Sequence, residues 1–394
     1  MDPELRLKWA DFPVDEYEMR LARAQQRMRE SGLDVALLTQ RENVEYFSGF
    51  QTGHWNSRTF PTAFLILHAE KDPVLVIPDF FQGNAHACSW IDNRVAVPEP
   101  HANPRGFGPA VVSAIKEIAG STAIIGLEHG SHLAPMWNMA DFEHVRSSLS
   151  SAEFTTAADV IWQTRMIKSS REIDRMAWLT AITDAAINDT RRSLAPGMTE
   201  IGVAASIQKG MLDRGADGAA FRNIRAGADR YACSDSLPQE RSIGEGEMLL
   251  IDIGATYNTY TTDVAYVTHI GEATPEHHQN YQTIIKAHEA ALATAKPGVP
   301  ARDVFQASLR VLEDSPLRTL DMCGHGIGME VHEPPMLTPY DETPLEPGMT
   351  FAVEPWLYDT EGLGIFCVEE IVHITEDGAE VLSSVPRDEL LEVS

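Results

Sequence analysis

Apolar residues recur at helical spacing from Asp15 to Arg29, and the pattern ends at Ser31-Gly32, a common stop for a helix. Val35-Ala36-Leu37-Leu38 is a short unbroken apolar run, which predicts a buried strand. Ala63-Phe64-Leu65-Ile66-Leu67 and Val74-Leu75-Val76-Ile77 flank the turn-forming Glu70-Lys71-Asp72-Pro73, which predicts a hairpin. Ala123-Ile124-Ile125-Gly126-Leu127 predicts a further strand, and Pro98 to Pro109, rich in Pro, Gly and Asn, predicts a loop. Residues 1–160 thus read as a small α/β domain with no evident catalytic cluster.

The pattern changes at Arg165-Met166-Ile167-Lys168-Ser169, and residues 161–394 are assigned to a second domain. Helices are expected over about Glu172–Asn188 and Glu200–Arg214, then apolar strands, then helices near Tyr281–Ala295 and Ala301–Glu313. Leu194-Ala195-Pro196-Gly197-Met198 and Ala295-Lys296-Pro297-Gly298-Val299 each precede a helix, which hints at an internal duplication. Two such units facing each other form a curved sheet backed by helices, with a polar site on the concave side. The fold class expected is therefore α/β (α+β), a small N-terminal α/β domain followed by a larger catalytic domain.

Five residues break the apolar segments of the second domain: Asp252, Asp263, His325, Glu354 and Glu369. Asp252 lies in Leu249-Leu250-Ile251-Asp252-Ile253-Gly254, and Asp263 follows the turn signal Tyr257-Asn258-Thr259. His325 lies in Gly324-His325-Gly326-Ile327-Gly328, Glu354 ends Phe351-Ala352-Val353, and Glu369 follows Ile365-Phe366-Cys367-Val368. A strand alternates its side chains between two faces, so the carboxylate of Asp252 points away from its flanking isoleucines. A buried carboxylate must be paired, protonated or bound to a cation. Lys and Arg are scarce in these segments, so about two divalent cations are the expected compensation. Oxygen and imidazole donors suit Mn best here, with Zn, Co or Fe as the other candidates.

Composition narrows the partners. A formal net charge of −27 argues against nucleic acid and against anionic membrane surfaces, both of which need a positive patch. Hydrophobic content of 43% and charged content of 23% are those of a soluble globular protein. No apolar run approaches the ~18–20 residues of a membrane span. The four cysteines are widely spaced without a Cys-x-x-Cys pair, and the N-terminus shows no secretory pattern, so a cytoplasmic location is expected.

These segments resemble a known family. Ile251-Asp252-Ile253-Gly254-Ala255 with Asp263, Gly324-His325-Gly326-Ile327-Gly328 with His332-Glu333-Pro334-Pro335, Val353-Glu354-Pro355 and Val368-Glu369-Glu370 resemble the methionine aminopeptidase, prolidase and creatinase superfamily, with its pita-bread fold. The segment from Val35 to Gly49 is similar to the start of the family's N-terminal domain, and Met166-Ile167-Lys168-Ser169 with Glu172-Ile173 to the start of its catalytic domain. The resemblance implies that Asp252, Asp263, His325, Glu354 and Glu369 ligate a dinuclear centre. It implies that His332 faces the substrate carbonyl or scissile nitrogen, and that Glu354 doubles as proton shuttle for a metal-bridged hydroxide. Strand parity also favours Glu369 over its neighbour Glu370 as the ligand. The implied activity is hydrolysis of a C–N bond in a small substrate, with an Xaa-Pro dipeptide as the default.

Three positions depart from that pattern. Ser234 stands where the resemblance leads one to expect a histidine, Ala265 where Thr or Ser is usual, and Cys367 where prolidase-like members carry Arg. A hydroxyl donates and accepts hydrogen bonds but is no near-neutral acid or base. The departures predict weaker turnover of Xaa-Pro dipeptides than of some other amide, and they keep a non-peptide alternative open: a creatinase-like or ectoine-hydrolase-like hydrolase, or a sulfonium-propionate lyase. A binding protein that retains the fold without catalysis is a further alternative, one that would lack bound metal. Cys233 and Cys367 are read as small buried hydrophobes rather than ligands. In Gln51-Thr52-Gly53-His54-Trp55-Asn56-Ser57-Arg58, Trp55 offers a stacking surface and Arg58 a carboxylate grip. The resemblance implies that this loop reaches the active site of a partner subunit, hence a homodimer.

Overall fold

The computed structural model describes residues 3–57, 62–98, 106–359 and 362–393. They form two compact units that divide between Arg165 and Met166.

In the first unit, strands β1 (Val35–Leu38), β2 (Phe64–His68), β3 (Val74–Pro78), β4 (Arg94–Val97), β5 (Ile124–Leu127) and β6 (Glu153–Thr156) form one sheet in the order β4-β3-β2-β1-β5-β6. The hairpin read from the sequence is present as β2 and β3, with Leu65 opposite Leu75. Helix α1 (Val14–Ser31) ends as expected at Gly32, whose φ of +71° closes it in the left-handed region. Five further helices complete the unit: α2 (Arg41–Ser48), α3 (Gln82–Cys88), α4 (Gly108–Ala119), α5 (Met139–Ser148) and α6 (Ala158–Arg165). The expected loop Pro98–Pro109 falls mostly outside the described residues. Its end belongs to α4, which carries Pro109 in the first turn, where a missing N–H costs nothing. The β1–β3 strands pack against α4 through Val35, Phe64, Val76, Val111 and Ile115, all buried.

The second unit repeats one motif. Helices α7 (Ser170–Arg191) and α8 (Glu200–Asp213) precede strands β7 (Gly218–Ala226), β8 (Met248–Tyr257), β9 (Tyr260–Thr261) and β10 (Val264–Ile270). Helices α9 (Pro275–Thr294) and α10 (Ala301–Leu312) precede β11 (Gly324–Gly326), β12 (Glu333–Met336), β13 (Thr350–Val353), β14 (Trp356–Tyr358), β15 (Ile365–Cys367), β16 (Glu370–Thr375), β17 (Gly378–Val381) and β18 (Leu391–Val393). One sheet runs β18-β10-β8-β7, a second β12-β11-β13-β16-β17, β14 pairs with β15 in a third, and among the described residues of this unit only β18 pairs in parallel. The two Pro-Gly turns share their bonding. Gly197 N–H donates to Ile243 O and Ile243 N–H to Met198 O; likewise Gly298 N–H donates to Leu345 O and Leu345 N–H to Val299 O. The duplication therefore extends to the connecting segment that each turn grips, five residues before β8 and before β13.

Local chemistry fixes these boundaries. Ser169 and Glu172 form a reciprocal capping box at the start of α7. Helix α9 starts six residues before the expected Tyr281, at Pro275 after the cap Thr274. Its polar opening His277-His278-Gln279 hid the first turns from a reading based on apolar periodicity. Asn258 and Thr259 adopt φ of +45° and +75°, so the turn signal between β8 and β9 is a tight hairpin of left-handed residues.

Candidate metal centre and cavity

Asp252 sits mid-strand on β8, opposite Ala265 of β10 and Asn223 of β7. Asn223 Nδ2 donates to Asp252 Oδ2 at 2.6 Å, and Asn223 Oδ1 accepts from the Ser236 N–H at 3.1 Å. Asp263 immediately precedes β10. His325 is the middle residue of β11, whose neighbour Gly324 is indispensable: a Cβ there would lie 2.2 Å from the Ala352 carbonyl oxygen, at φ +149°. Glu354 follows β13, and Glu369 lies between β15 and β16, its N–H bonded to Ala265 O at 2.9 Å. That bond ties Glu369 to the strand opposite Asp252.

The structure brings all five side chains together. Asp252, Asp263 and Glu369 form one group, and His325, Glu354 and Glu369 another. Asp263, His325 and His332 form a third, and within each group the donor atoms lie within 4.8 Å of one another. His325 Nε2 is 3.5 Å from Asp263 Oδ2 and 3.4 Å from Glu354 Oε1. Its Nδ1 lies 3.0 Å from Gly326 O. With a proton on Nδ1 donated to that carbonyl, Nε2 turns a lone pair toward the carboxylates, the usual arrangement of a ligating histidine. Trp356 Nε1 donates to Glu354 Oε2 at 2.7 Å, so Oε1 is the oxygen left facing His325.

The electrostatics of this group demand a positive charge. Asp263 Oδ1 and both oxygens of Glu369 are buried without a protein donor. Burial and the Asp263 charge push Asp252 well above the ordinary carboxylate range. Burial raises Asp263 to about 8 and Glu354 to about 8, the latter in spite of the neighbouring His325. Burial, then the charges of Asp263, Glu354 and Asp252, raises Glu369. Four buried carboxylates, two of them with idle oxygens, and an imidazole with its lone pair inward fit a divalent metal site of oxygen and nitrogen donors. Glu370, by contrast, turns to the other side of β16 and pairs with Arg387, with His288 Nε2 at 3.6 Å.

Asp252, Asp263, His325 and Glu354 line a cavity of about 990 Å³. His332 and Ser234 also line it, and the His332 ring lies 4.1 Å from that of His325. His332 is carried by a segment with a buried anchor. Lys168 Nζ donates to Glu333 Oε2 at 3.1 Å, while Glu333 Oε1 accepts the N–H groups of Met329 and Glu330. The Lys168 of the Met166–Ser169 motif thus holds the loop that presents His332. Cys367 is fully buried behind the cluster, and burial together with the Glu369 charge keeps its thiol protonated. Cys233 is exposed rather than buried as expected, and only its carbonyl meets the site, accepting from Arg225. Trp55 lies in the first unit, its ring 6.0 Å from that of Phe50. Arg58 falls outside the described residues.

Three contributors were not legible in the sequence, one of them Trp356, whose bond to Glu354 spans a turn. Asn223 gives no motif signal, because its role comes from cross-strand register opposite Asp252. Arg225 is a cation where few were expected: it lies two residues further along β7, lines the cavity and feels the charge of Asp252. The alternation Phe221, Asn223, Arg225 on a strand was the available clue.

Comparison with known proteins agrees with this geometry. Residues 174–376, just over half the chain, match the model of metallopeptidase family M24, and residues 20–167 match the creatinase/prolidase N-terminal domain. The chain belongs to metallopeptidase family M24. It is 30% identical to the probable dipeptidase PepE of Mycobacterium tuberculosis, over 96% of this chain and 97% of the relative. It is 27% identical to the Xaa-Pro dipeptidase of Pyrococcus furiosus, over 94% of this chain and 99% of the relative. The crystal structure of dipeptidase PepE from Mycobacterium ulcerans superposes with a TM-score of 0.83 at 27% identity, over 97% of this chain and 99% of that one. The second unit thus has the pita-bread fold expected from the resemblance, and the M24 chain is a hydrolase of peptide-type bonds that uses divalent metal.

Proposed function

We propose that this M24 protein hydrolyses a C–N bond in a small substrate, with Xaa-Pro dipeptides as the reference class, at a two-metal centre held by Asp252, Asp263, His325, Glu354 and Glu369. The observation that carries the reading is the set of idle buried oxygens on Asp263 and Glu369, which meet His325 in one donor cluster, with Asp252, Asp263, His325 and Glu354 lining a cavity of about 990 Å³. Mn is the proposed metal, with Zn, Co or Fe as the alternatives. When bound, the ions lower the pKa of an attacking water and polarise the carbonyl.

The remaining work falls to the chain. Asn223 fixes the rotamer of Asp252, and Trp356 fixes that of Glu354. Glu354 takes the proton of the attacking water and delivers it to the leaving nitrogen. His332 donates to the oxygen that becomes negative as the carbonyl carbon turns tetrahedral, a contribution of about 3–4 kcal/mol for such a donor. Ser234 orients the substrate by a hydrogen bond.

The test is turnover of a panel of Xaa-Pro dipeptides by Mn-loaded protein, alongside His332→Ala. The proposal expects dipeptide hydrolysis, and in the variant a kcat about 10²–10³-fold lower at unchanged metal content. Loss of metal from His332→Ala would instead make His332 a ligand. A second reading, a non-peptide amide or amidine as substrate, is favoured by one observation: a hydroxyl, Ser234, occupies the cavity wall where the resemblance implies an imidazole. Turnover of a cyclic amidine far above that of every Xaa-Pro dipeptide would select it.

A homodimer is also proposed, on the resemblance of the 51–58 loop to segments that reach a partner's site; a single-chain mass in sedimentation equilibrium would remove it. A cytoplasmic location is proposed from the four unpaired cysteines. Among the described residues no helix is long and apolar enough to cross a membrane.

A further inference from the structure

We propose that Arg225 is the anion grip of the cavity and that the substrate carries a carboxylate which it binds. Arg225 is 5% exposed, yet it lines the cavity. Its Nε is buried and has no partner among the described residues, while Nη1 donates to Cys233 O. A buried guanidinium N–H left unmade is costly, and such a group in a native fold points to a ligand that completes it. The acids whose charges act on it do not complete it: Asp252 Oδ2 takes its hydrogen bond from Asn223, and Arg225 Nε bonds to neither Asp252 nor Asp235.

Placement gives the geometry. Asn223 and Arg225 share one face of β7, two residues apart, or about 7 Å along the strand. Asn223 touches the metal cluster, so Arg225 stands one pleat farther along the same wall. Arg222 and Arg318 also line the cavity, and Asp235 is an acid whose charge acts on Arg225. Leu320, Met322, Trp356 and Ile365 add apolar lining. A small molecule with an apolar body, its scissile bond over the cluster and a carboxylate about one pleat away satisfies all three surfaces. Arg suits that carboxylate because its planar fork presents paired N–H donors.

The position of the scissile bond rests on the hydrolase reading; the anion grip does not. The experiment is calorimetric titration of the full-length Mn-loaded protein with L-proline and with L-prolinamide, repeated on Arg225→Met and Arg225→Lys. The expected result is that the parent binds the acid at least about tenfold more tightly than the amide, as a charge-assisted contact gives. Arg225→Met loses most of that preference and Arg225→Lys keeps part of it, both at parental metal content. Should Arg225→Met fail to fold, Arg225→Gln, which keeps a donor for Cys233 O, is read in its place. No preference for the acid in the parent, including no binding of either probe, overturns the proposal, as does a preference that survives removal of the guanidinium. Absence of dipeptide turnover alongside an intact acid preference defeats the hydrolase reading and leaves the grip standing.

Discussion

At the scale of residues, Asp263 shows how burial turns an acid into either a proton holder or a metal ligand. In metal-free protein its pKa of about 8 exceeds the ordinary 3.8, so the folded state favours the protonated form. That contribution to stability is full below about pH 4 and is lost as pH rises through about 8. Asp263→Asn removes the titration. In metal-stripped samples the variant's unfolding temperature, relative to the parent, should therefore climb between pH 5 and pH 8, by at least about 3 °C. Added Mn should reverse the order, because only the parent keeps the full ligand set. A gap that stays flat with pH would mean that Asp263 is already neutralised by a protein group. The five acidic and imidazole residues were legible in the sequence because each interrupts an apolar segment. Asn223, Arg225 and Trp356 were not, because their roles come from neighbours across strands or around a turn, which a linear reading does not pair.

At the scale of elements, the loop that bears His332 depends on a buried ion pair. Lys168 and Glu333 expose 2% and 1% of their side chains, so removing one partner strands a charge in a dry site. Lys168→Met should lower stability by about 3–5 kcal/mol and depress kcat with it, whereas Lys168→Met/Glu333→Leu should recover part of the stability. Equal unfolding free energies in the parent and the single variant, by urea denaturation, would show that the pair has no anchoring role. The apolar strands β1, β2, β3, β5 and β8, the hairpin between β2 and β3 and the ends of α1, α8 and α10 followed from periodicity and stop signals, whereas β4, β6 and β7, mixed in polarity, did not. The start of α9 did not, since a Thr-Pro cap and two polar turns carry no apolar rhythm. The shared bonding of the two Pro-Gly turns was hinted at by two short segments, but their partners Ile243 and Leu345 could be found only in three dimensions.

At the scale of the whole molecule, residues spread from Asp252 to Glu369 meet because two copies of a helix-pair-and-sheet motif each contribute part of one cluster. The first copy supplies both aspartates and the second supplies His325, Glu354 and Glu369. Four buried carboxylates meet there, and the account holds only if cations neutralise them. The most direct test is an anomalous difference map at the Mn absorption edge from crystals grown with Mn. The account predicts two peaks enclosed by Asp252, Asp263, His325, Glu354 and Glu369, both absent in Asp263→Asn/Glu369→Gln. A map with no peak among these side chains in the parent protein, at Mn concentrations that saturate the solution, would contradict it.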